Sequence, residues 1–159
     1  MKTGDAQTLT KILFICHGNI CRSPMAECIF KKLAADAGRG DEFLVASAAT
    51  SDEEIYRGVG NPVYPPARRV LLRNGFDPGG KRARQMTKAD YNAWDLLVLM
   101  DGNNRRNALR LLGGDPDNKL RMLGDYGAGH DVADPWYSGD FDTAFDEILR
   151  GCRGLLKSL

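Results

Sequence analysis

At 159 residues the chain is long enough for one domain with its own core, and 43% hydrophobic with 27% charged residues is an ordinary globular composition. Twenty-two basic residues stand against 21 acidic ones, and a net charge of +1 gives no reason to expect a nucleic-acid or membrane surface. No apolar run approaches the roughly 20 residues that span a bilayer, and the polar first ten residues lack the apolar segment of a secretory signal. A cytoplasmic chain is expected, with one domain over 1–159 and a polar extension over 1–10.

Residues 11–15 form a short apolar run, suited to a strand buried on both faces. Ser23 reads as an N-cap and Pro24 as the first helical residue. Ala26, Ile29, Phe30, Leu33, Ala34 and Ala37 follow at helical spacing, and Gly38 is the stop. Residues 43–49 read as a second buried strand. Residues 50–64, broken by Gly58, Gly60 and Pro62, read as a loop with at most a turn of helix. Pro65-Pro66 opens a helix to Arg73 with Val70, Leu71 and Leu72 inside, and Gly75 stops it. Thr87-Lys88-Ala89-Asp90 has the form of a capped helix start. Residues 96–100 are a third strand, Asp101 caps a helix over 103–112, and residues 119–123 are a fourth strand. A long loop over 124–139 leads to an amphipathic helix over 140–157. This alternation predicts an α/β fold with a doubly wound, four-stranded parallel sheet and helices on both faces. Ligands of such folds bind outside the carboxyl ends of the strands, which is where Cys16 falls.

The chemistry is concentrated in Cys16-His17-Gly18-Asn19-Ile20-Cys21-Arg22-Ser23-Pro24. A thiol ionises more easily at a helix N-terminus or beside a cation. Cys16 has the helix after Ser23 and Arg22 as candidates for both, and the Ser23 hydroxyl is placed to donate to the sulfur. Gly18 and Asn19 permit left-handed backbone, so the amides of His17, Gly18, Asn19, Ile20 and Cys21 can turn inward as an anion nest. Arg22 adds a planar fork for two oxygens. The design is a dianion cradle over a nucleophile and requires no metal or cofactor. The four cysteines, Cys16, Cys21, Cys28 and Cys152, have neither the density of a disulfide scaffold nor zinc-ligand spacing. Trp136 and Tyr137 are candidates to wall a slot for a flat ring, against the alternative that one of them packs the loop onto the body.

The stretch from Cys16 through Pro24 and on to Met25-Ala26-Glu27 resembles the signature of the low-molecular-weight protein tyrosine phosphatases. The similarity covers nearly the whole chain from Lys11, through Ser47-Ala48-Ala49-Thr50, Ala83-Arg84-Gln85, Met100-Asp101, Gly124-Asp125-Tyr126 and Asp134-Pro135-Trp136-Tyr137. The resemblance implies a four-stranded parallel sheet flanked by helices and hydrolysis of phosphotyrosine and small aryl phosphates. It implies that Cys16 forms a phosphocysteine while Arg22 and the loop amides hold the phosphoryl oxygens. Asp134 would act as general acid and then base, Ser23 would stabilise the sulfur, and Asn19 would hold the loop in shape. The implied partner is a phosphotyrosine-containing protein, a tyrosine kinase among the candidates, met by a monomer or weak dimer.

The resemblance also suggests a Cys16–Cys21 disulfide under oxidation, against Cys21 as a small side chain tucked under the loop. Cys28 and Cys152 read as core. His17 either touches substrate or is exposed without a role, and His130 reads as a solvated loop histidine. Lys81 stands where many relatives have a histidine beneath the loop asparagine, which leaves the support of Asn19 open. Tyr56 is a candidate for an aromatic that relatives place on the slot wall. An arsenate reductase of the same fold would need further relay cysteines, and none lies between Cys28 and Cys152. A non-catalytic phosphotyrosine-binding module would not need Cys16, Arg22 and Asp134 together. A thiol-phosphate carrier of sugar transport would not need Arg22 with a general acid.

Overall fold

The computed structural model of the protein describes residues 8–159. Of the polar extension expected over 1–10, residues 1–7 lie outside the described residues, and Thr10 already belongs to the first strand.

In chain order, β1 (Thr10–Cys16) leads through the cysteine loop into α1 (Arg22–Asp36), followed by β2 (Phe43–Ala49). A small hairpin, β3 (Ile55–Tyr56) and β4 (Val59–Gly60), precedes α2 (Pro65–Arg73) and α3 (Ala89–Ala93). Then come β5 (Leu96–Leu99), α4 (Gly102–Leu112) and β6 (Leu120–Met122). A 3-10 turn (Leu123–Tyr126), the short α5 (Pro135–Ser138) and α6 (Phe141–Ser158) complete the chain.

The main sheet has the order β2-β1-β5-β6, and every pairing is parallel. β1 alternates between two cores: Ile12 and Phe14 pack with α1, α2 and α6, while Leu13 and Ile15 pack with β5, α4 and Ala48 on the other face. Full burial of such side chains is worth about 1.5–3 kcal/mol each, which is why an unbroken apolar run makes the central strand. The chain leaves β1 toward β2 on one side and returns to β5 on the other. The carboxyl end of β1 is therefore the switch point of the sheet, and Cys16 is its last residue.

Several local expectations are corrected. Helix α1 begins at Arg22 with Cys21 as N-cap and no side-chain cap; the Ser23 hydroxyl is engaged inside the site instead. Residues 50–64 hold a hairpin, because Arg57 and Gly58, at φ 50° and 76°, form a tight left-handed turn. An arginine in the first of these positions hides the usual turn signal. In α2 the buried face is Ala67, Val70 and Leu71, and Leu72 is 47% exposed. Thr87 does not cap α3 through its side chain; the Asp90 carboxylate accepts from the Thr87 N–H at 2.8 Å.

The stretch expected as a plain loop over 124–139 contains the 3-10 turn and α5. Two mid-helix glycines of α6 make this possible. A Cβ on Gly154 would collide with the Tyr126 carbonyl, and one on Gly151 with Leu123. The helix therefore accepts glycine at interior positions, each costing about 1 kcal/mol relative to alanine, so that the 3-10 turn can lie directly on it. This contact fixes the segment that carries Asp134.

Candidate active site

The Cys16 sulfur is nearly buried and is met from three directions. The Asn19 N–H donates to it at 3.3 Å and the Ser23 N–H at 3.4 Å, while the Ser23 Oγ lies at 2.9 Å. Ser23 sits in the first turn of α1, so one of the helix's orphan amides is spent on the sulfur rather than on a side-chain cap. The loop backbone is held from outside. Thr50 N–H donates to the Cys16 carbonyl, Ser51 N–H to that of His17, and Tyr64 N–H to that of Ile20, at 2.9–3.1 Å.

Asn19 adopts φ 60°, the left-handed region that asparagine tolerates. Its Oδ1 accepts from the Arg84 N–H at 3.0 Å, which fixes the orientation of the amide. Nδ2 then donates to Ser23 Oγ at 2.8 Å and to Ser47 Oγ at 2.9 Å. Because Ser23 Oγ is an acceptor toward Asn19, its proton is free for the sulfur. Ser47 in turn donates to Glu27 Oε1 at 2.6 Å. Lys81 reaches this chain from beneath, donating to the Ser47 carbonyl at 2.9 Å and standing 3.6 Å from Glu27. The support of Asn19 is thus two serines and a backbone amide, with Lys81 one bond further out.

Arg22 is 2% exposed. Its Nη1 donates to Asp101 Oδ2 at 2.6 Å and to the Val132 carbonyl at 2.7 Å. Both Nη1 protons are thereby engaged, and Nε and Nη2 remain as the edge for an oxyanion. Burial alone would pull the guanidinium down, but the charges of Cys16, Asp101 and Asp134 and the Asp101 hydrogen bond outweigh it and hold the group above its usual value. Asp101 divides its oxygens between two tasks: Oδ1 accepts from Asn104 N–H as the cap of α4, and Oδ2 takes Arg22. Asp134 does the same on the far side. Oδ1 caps α5 through the Trp136 N–H at 3.0 Å, and Oδ2 lies 3.4 Å from Arg22 Nη2.

The sulfur, Arg22 and Asp134 line one pocket with walls of different character. Beside Asp134 stand Trp136, 53% exposed, and Tyr137, 84% exposed. The Trp136 ring rests against Tyr64 at 4.9 Å between centroids. His17, Glu53 and Glu54 complete the lining. A thiol at the floor, inward amides, a fixed guanidinium and a carboxyl over the opening can transfer a phosphoryl group to sulfur and protonate what departs. Among the described residues, no group of three or more His, Cys, Asp or Glu side chains is gathered to hold a metal ion.

A family model described as low molecular weight phosphotyrosine protein phosphatase matches residues 11–159. The chain belongs to this family. It is 35% identical over 154 residues to the low molecular weight protein-tyrosine-phosphatase YfkJ of Bacillus subtilis, covering 95% of this chain and 96% of that one. With the human low molecular weight phosphotyrosine protein phosphatase it shares 36% over 162 residues, again 95% of this chain and 96% of the other. The crystal structure of YfkJ superposes with a TM-score of 0.89 at 34% identity, over 95% and 94% of the two chains. The low molecular weight protein tyrosine phosphatase of Streptococcus pyogenes gives 0.84 at 32%, over 95% and 93%.

In this phosphatase-family site the structure brings together all three residues expected to do chemistry, Cys16, Arg22 and Asp134. His17, Gly18, Ile20, Cys21, Trp136 and Tyr137 line the same pocket, and Asn19 and Ser23 contact the sulfur. His17 turns outward, its Nε2 2.8 Å from Glu53 Oε2. Cys21 packs with Ile20 and Ala83, and burial, followed by the charges of Cys16 and Asp134, pushes its thiol up. All four cysteines are free in this structure. Cys152 is fully buried, whereas Cys28 is only half-buried, with burial pushing its thiol up to about 11. His130 is exposed and pairs with Glu147 at 3.3 Å. Tyr56 is not on the slot wall; it is 72% exposed with Arg57 over its ring. The carboxylates of Glu53 and Glu54 occupy that wall, which sequence reading missed. It also missed the hold of Asp101 on Arg22, reading that aspartate only as a helix cap.

Proposed function

We propose that this chain is a protein tyrosine phosphatase, hydrolysing phosphotyrosine and small aryl phosphates through a phosphocysteine on Cys16. The Cys16 sulfur attacks phosphorus, the bond from phosphorus to the phenolic oxygen breaks, and Asp134 delivers its proton to that oxygen. Asp134, now a carboxylate, takes a proton from water; the water oxygen attacks phosphorus, the S–P bond breaks, and inorganic phosphate leaves. Through both steps the loop amides and the free edge of Arg22 hold the three equatorial oxygens. The Ser23 hydroxyl stabilises the sulfur first as nucleophile and then as leaving group.

The observation that carries this reading is the convergence of three donors on one sulfur, with Arg22 and Asp134 3.4 Å apart in the same pocket. The family relationship and the aromatic wall of Trp136 and Tyr137 support a phenolic leaving group. An arsenate-reducing relay has no comparable support, since Cys28 and Cys152 lie on α1 and α6 and neither lines the Cys16 pocket. Two readings of Cys21 stand side by side: a thiol that condenses with a sulfenic acid formed on Cys16 by peroxide, giving a disulfide and water, or a small side chain packed with Ile20 and Ala83 under the loop. The partner in this reading is a phosphotyrosine-bearing protein of the cytoplasm, met by a monomer or weak dimer. No helix among the described residues is long and apolar enough to cross a membrane.

Hydrolysis of p-nitrophenyl phosphate in the presence of EDTA is the test. The chain should turn over, with vanadate competing, and Cys16→Ser should lose activity by at least about 10⁴-fold. Turnover retained by that variant would sink the mechanism. Asp134→Ala should lose about 10²–10⁴-fold, most with poor leaving groups; a small loss uniform across leaving groups would remove Asp134 from the acid role.

A further inference from the structure

The pocket changes the sign of its charge from floor to rim. The floor is built for a dianion, with inward amides and the Arg22 fork. The pocket lining also carries two further carboxylates, Glu53 and Glu54, and Asp134 adjoins the aromatic pair Trp136 and Tyr137. Glu54 is held in place: its Oε1 accepts from Asn61 Nδ2 at 2.9 Å and its main-chain carbonyl from the Asn61 N–H at 2.8 Å. Its stem packs on the loop, with Cγ 3.2 Å from where a Cβ on Gly18 would stand. No cation among the described residues pairs with Glu54. Glu53 Oε2 lies 2.8 Å from His17 Nε2. The cation lining the floor, Arg22, has its Nη1 edge tied to Asp101.

We infer that Glu53 and Glu54 make this site select phosphotyrosine flanked by basic residues and disfavour phosphotyrosine flanked by acidic ones. The inference rests on the phosphatase reading above and names its substrate class. The aryl ring occupies the slot, so the residues on either side of the phosphotyrosine stand at the rim. There a lysine or arginine meets Glu53 and Glu54 on one wall and the faces of Trp136 and Tyr137 on the other, both attractive to a cation. A flanking glutamate meets like charge on one wall and gains nothing from the other. Exposed pairs of this kind are worth about 1.5- to 5-fold each and weaken with salt. Glu54 carries more of the effect than Glu53, because Asn61 holds it through both side chain and main chain whereas Glu53 is exposed.

The experiment compares kcat/KM at low ionic strength for two phosphotyrosine peptides, identical except for lysine or glutamate on both sides of the phosphotyrosine, with p-nitrophenyl phosphate in parallel. The lysine peptide should be favoured by about 5- to 20-fold, and the preference should shrink at high salt. Glu54→Gln keeps the shape and the Asn61 contact, and should cut the ratio by about 2- to 5-fold; Glu53→Gln should cut it less. Asp36→Asn, an equal charge change at the far end of α1, should leave the ratio where it was. A ratio near one in the unaltered protein, or a ratio that neither glutamine variant moves, overturns the inference while turnover of p-nitrophenyl phosphate leaves the phosphatase reading standing. No turnover of any of the three substrates overturns both.

Discussion

The two sides of the Cys16 loop are built on opposite principles. Around its base, Asn19, Ser23, Ser47 and Arg22 are all buried, and their hydrogen bonds run on to Glu27, Asp101 and Val132. At the mouth, Trp136, Tyr137 and Glu53 are exposed and carry few contacts. The lesson is one of leverage. A buried polar network leaves an unsatisfied group wherever it is cut, so changes beneath the loop should damage catalysis and stability together. Changes at the mouth should alter which substrate is preferred and leave the fold intact.

The widest gap between the two sides should come from Arg22→Lys. The substitution keeps the charge and removes the fork, and kcat should fall by about 10²–10³-fold in steady-state assays. A loss confined to KM would mean that Arg22 only binds the ground state. Next in size is Asn19→Ala, which leaves the Ser23 and Ser47 hydroxyls without their donor and puts a poor residue at φ 60°. Urea unfolding should show a loss of about 2–4 kcal/mol, and kcat should fall with it. Asn19→Gly restores the backbone angle and should recover part of the stability and little of the rate. Unchanged kcat in both variants would break the link between network and sulfur.

At the mouth, Trp136→Ala should raise KM for aryl phosphates by about 5- to 20-fold, with the unfolding midpoint held. A shifted midpoint would place Trp136 with the buried side, through its contact with Tyr64. The smallest effect is expected at Lys81, the outermost member of the network. Burial lowers its ammonium below the ordinary 10.5, although Glu27 opposes this. The unfolded chain then holds the proton more tightly than the fold. The Lys81 contribution is least favourable below the lowered folded value and improves as pH rises toward 10.5. Lys81→Met should flatten that alkaline rise when stability is followed by urea unfolding across pH; an unchanged slope would show that Lys81 does not titrate with folding.

Much of this was legible in the chain itself. The apolar run ending at Cys16, the loop with Gly18 and Asn19, Arg22-Ser23-Pro24 and the helix beyond are one contiguous segment, so local rules describe it. The hairpin over residues 55–60 was not legible, because Arg57 occupies a left-handed position that sequence rules reserve for glycine or asparagine. Leu72 is apolar yet half exposed, because hydrophobicity does not say which side of a short helix meets the core. A serine before a proline suits a helix cap, and only the folded loop shows the Ser23 hydroxyl serving the sulfur.

The parallel α/β sheet and the site at the carboxyl end of its first strand follow from hydrophobic period and from residues adjacent in the chain. What holds and surrounds that site depends on packing between distant segments. Asp101 grips Arg22 across 79 residues of sequence, and Asn19 reaches Ser47 across 28. Lys81 stabilises Glu27 and the Ser47 carbonyl rather than Asn19 itself, and two glutamates stand where an aromatic was expected. These are contacts between segments that no local pattern links. They exist because folding removes the groups from water and leaves each polar atom to find its partner among whatever the packed chain brings near.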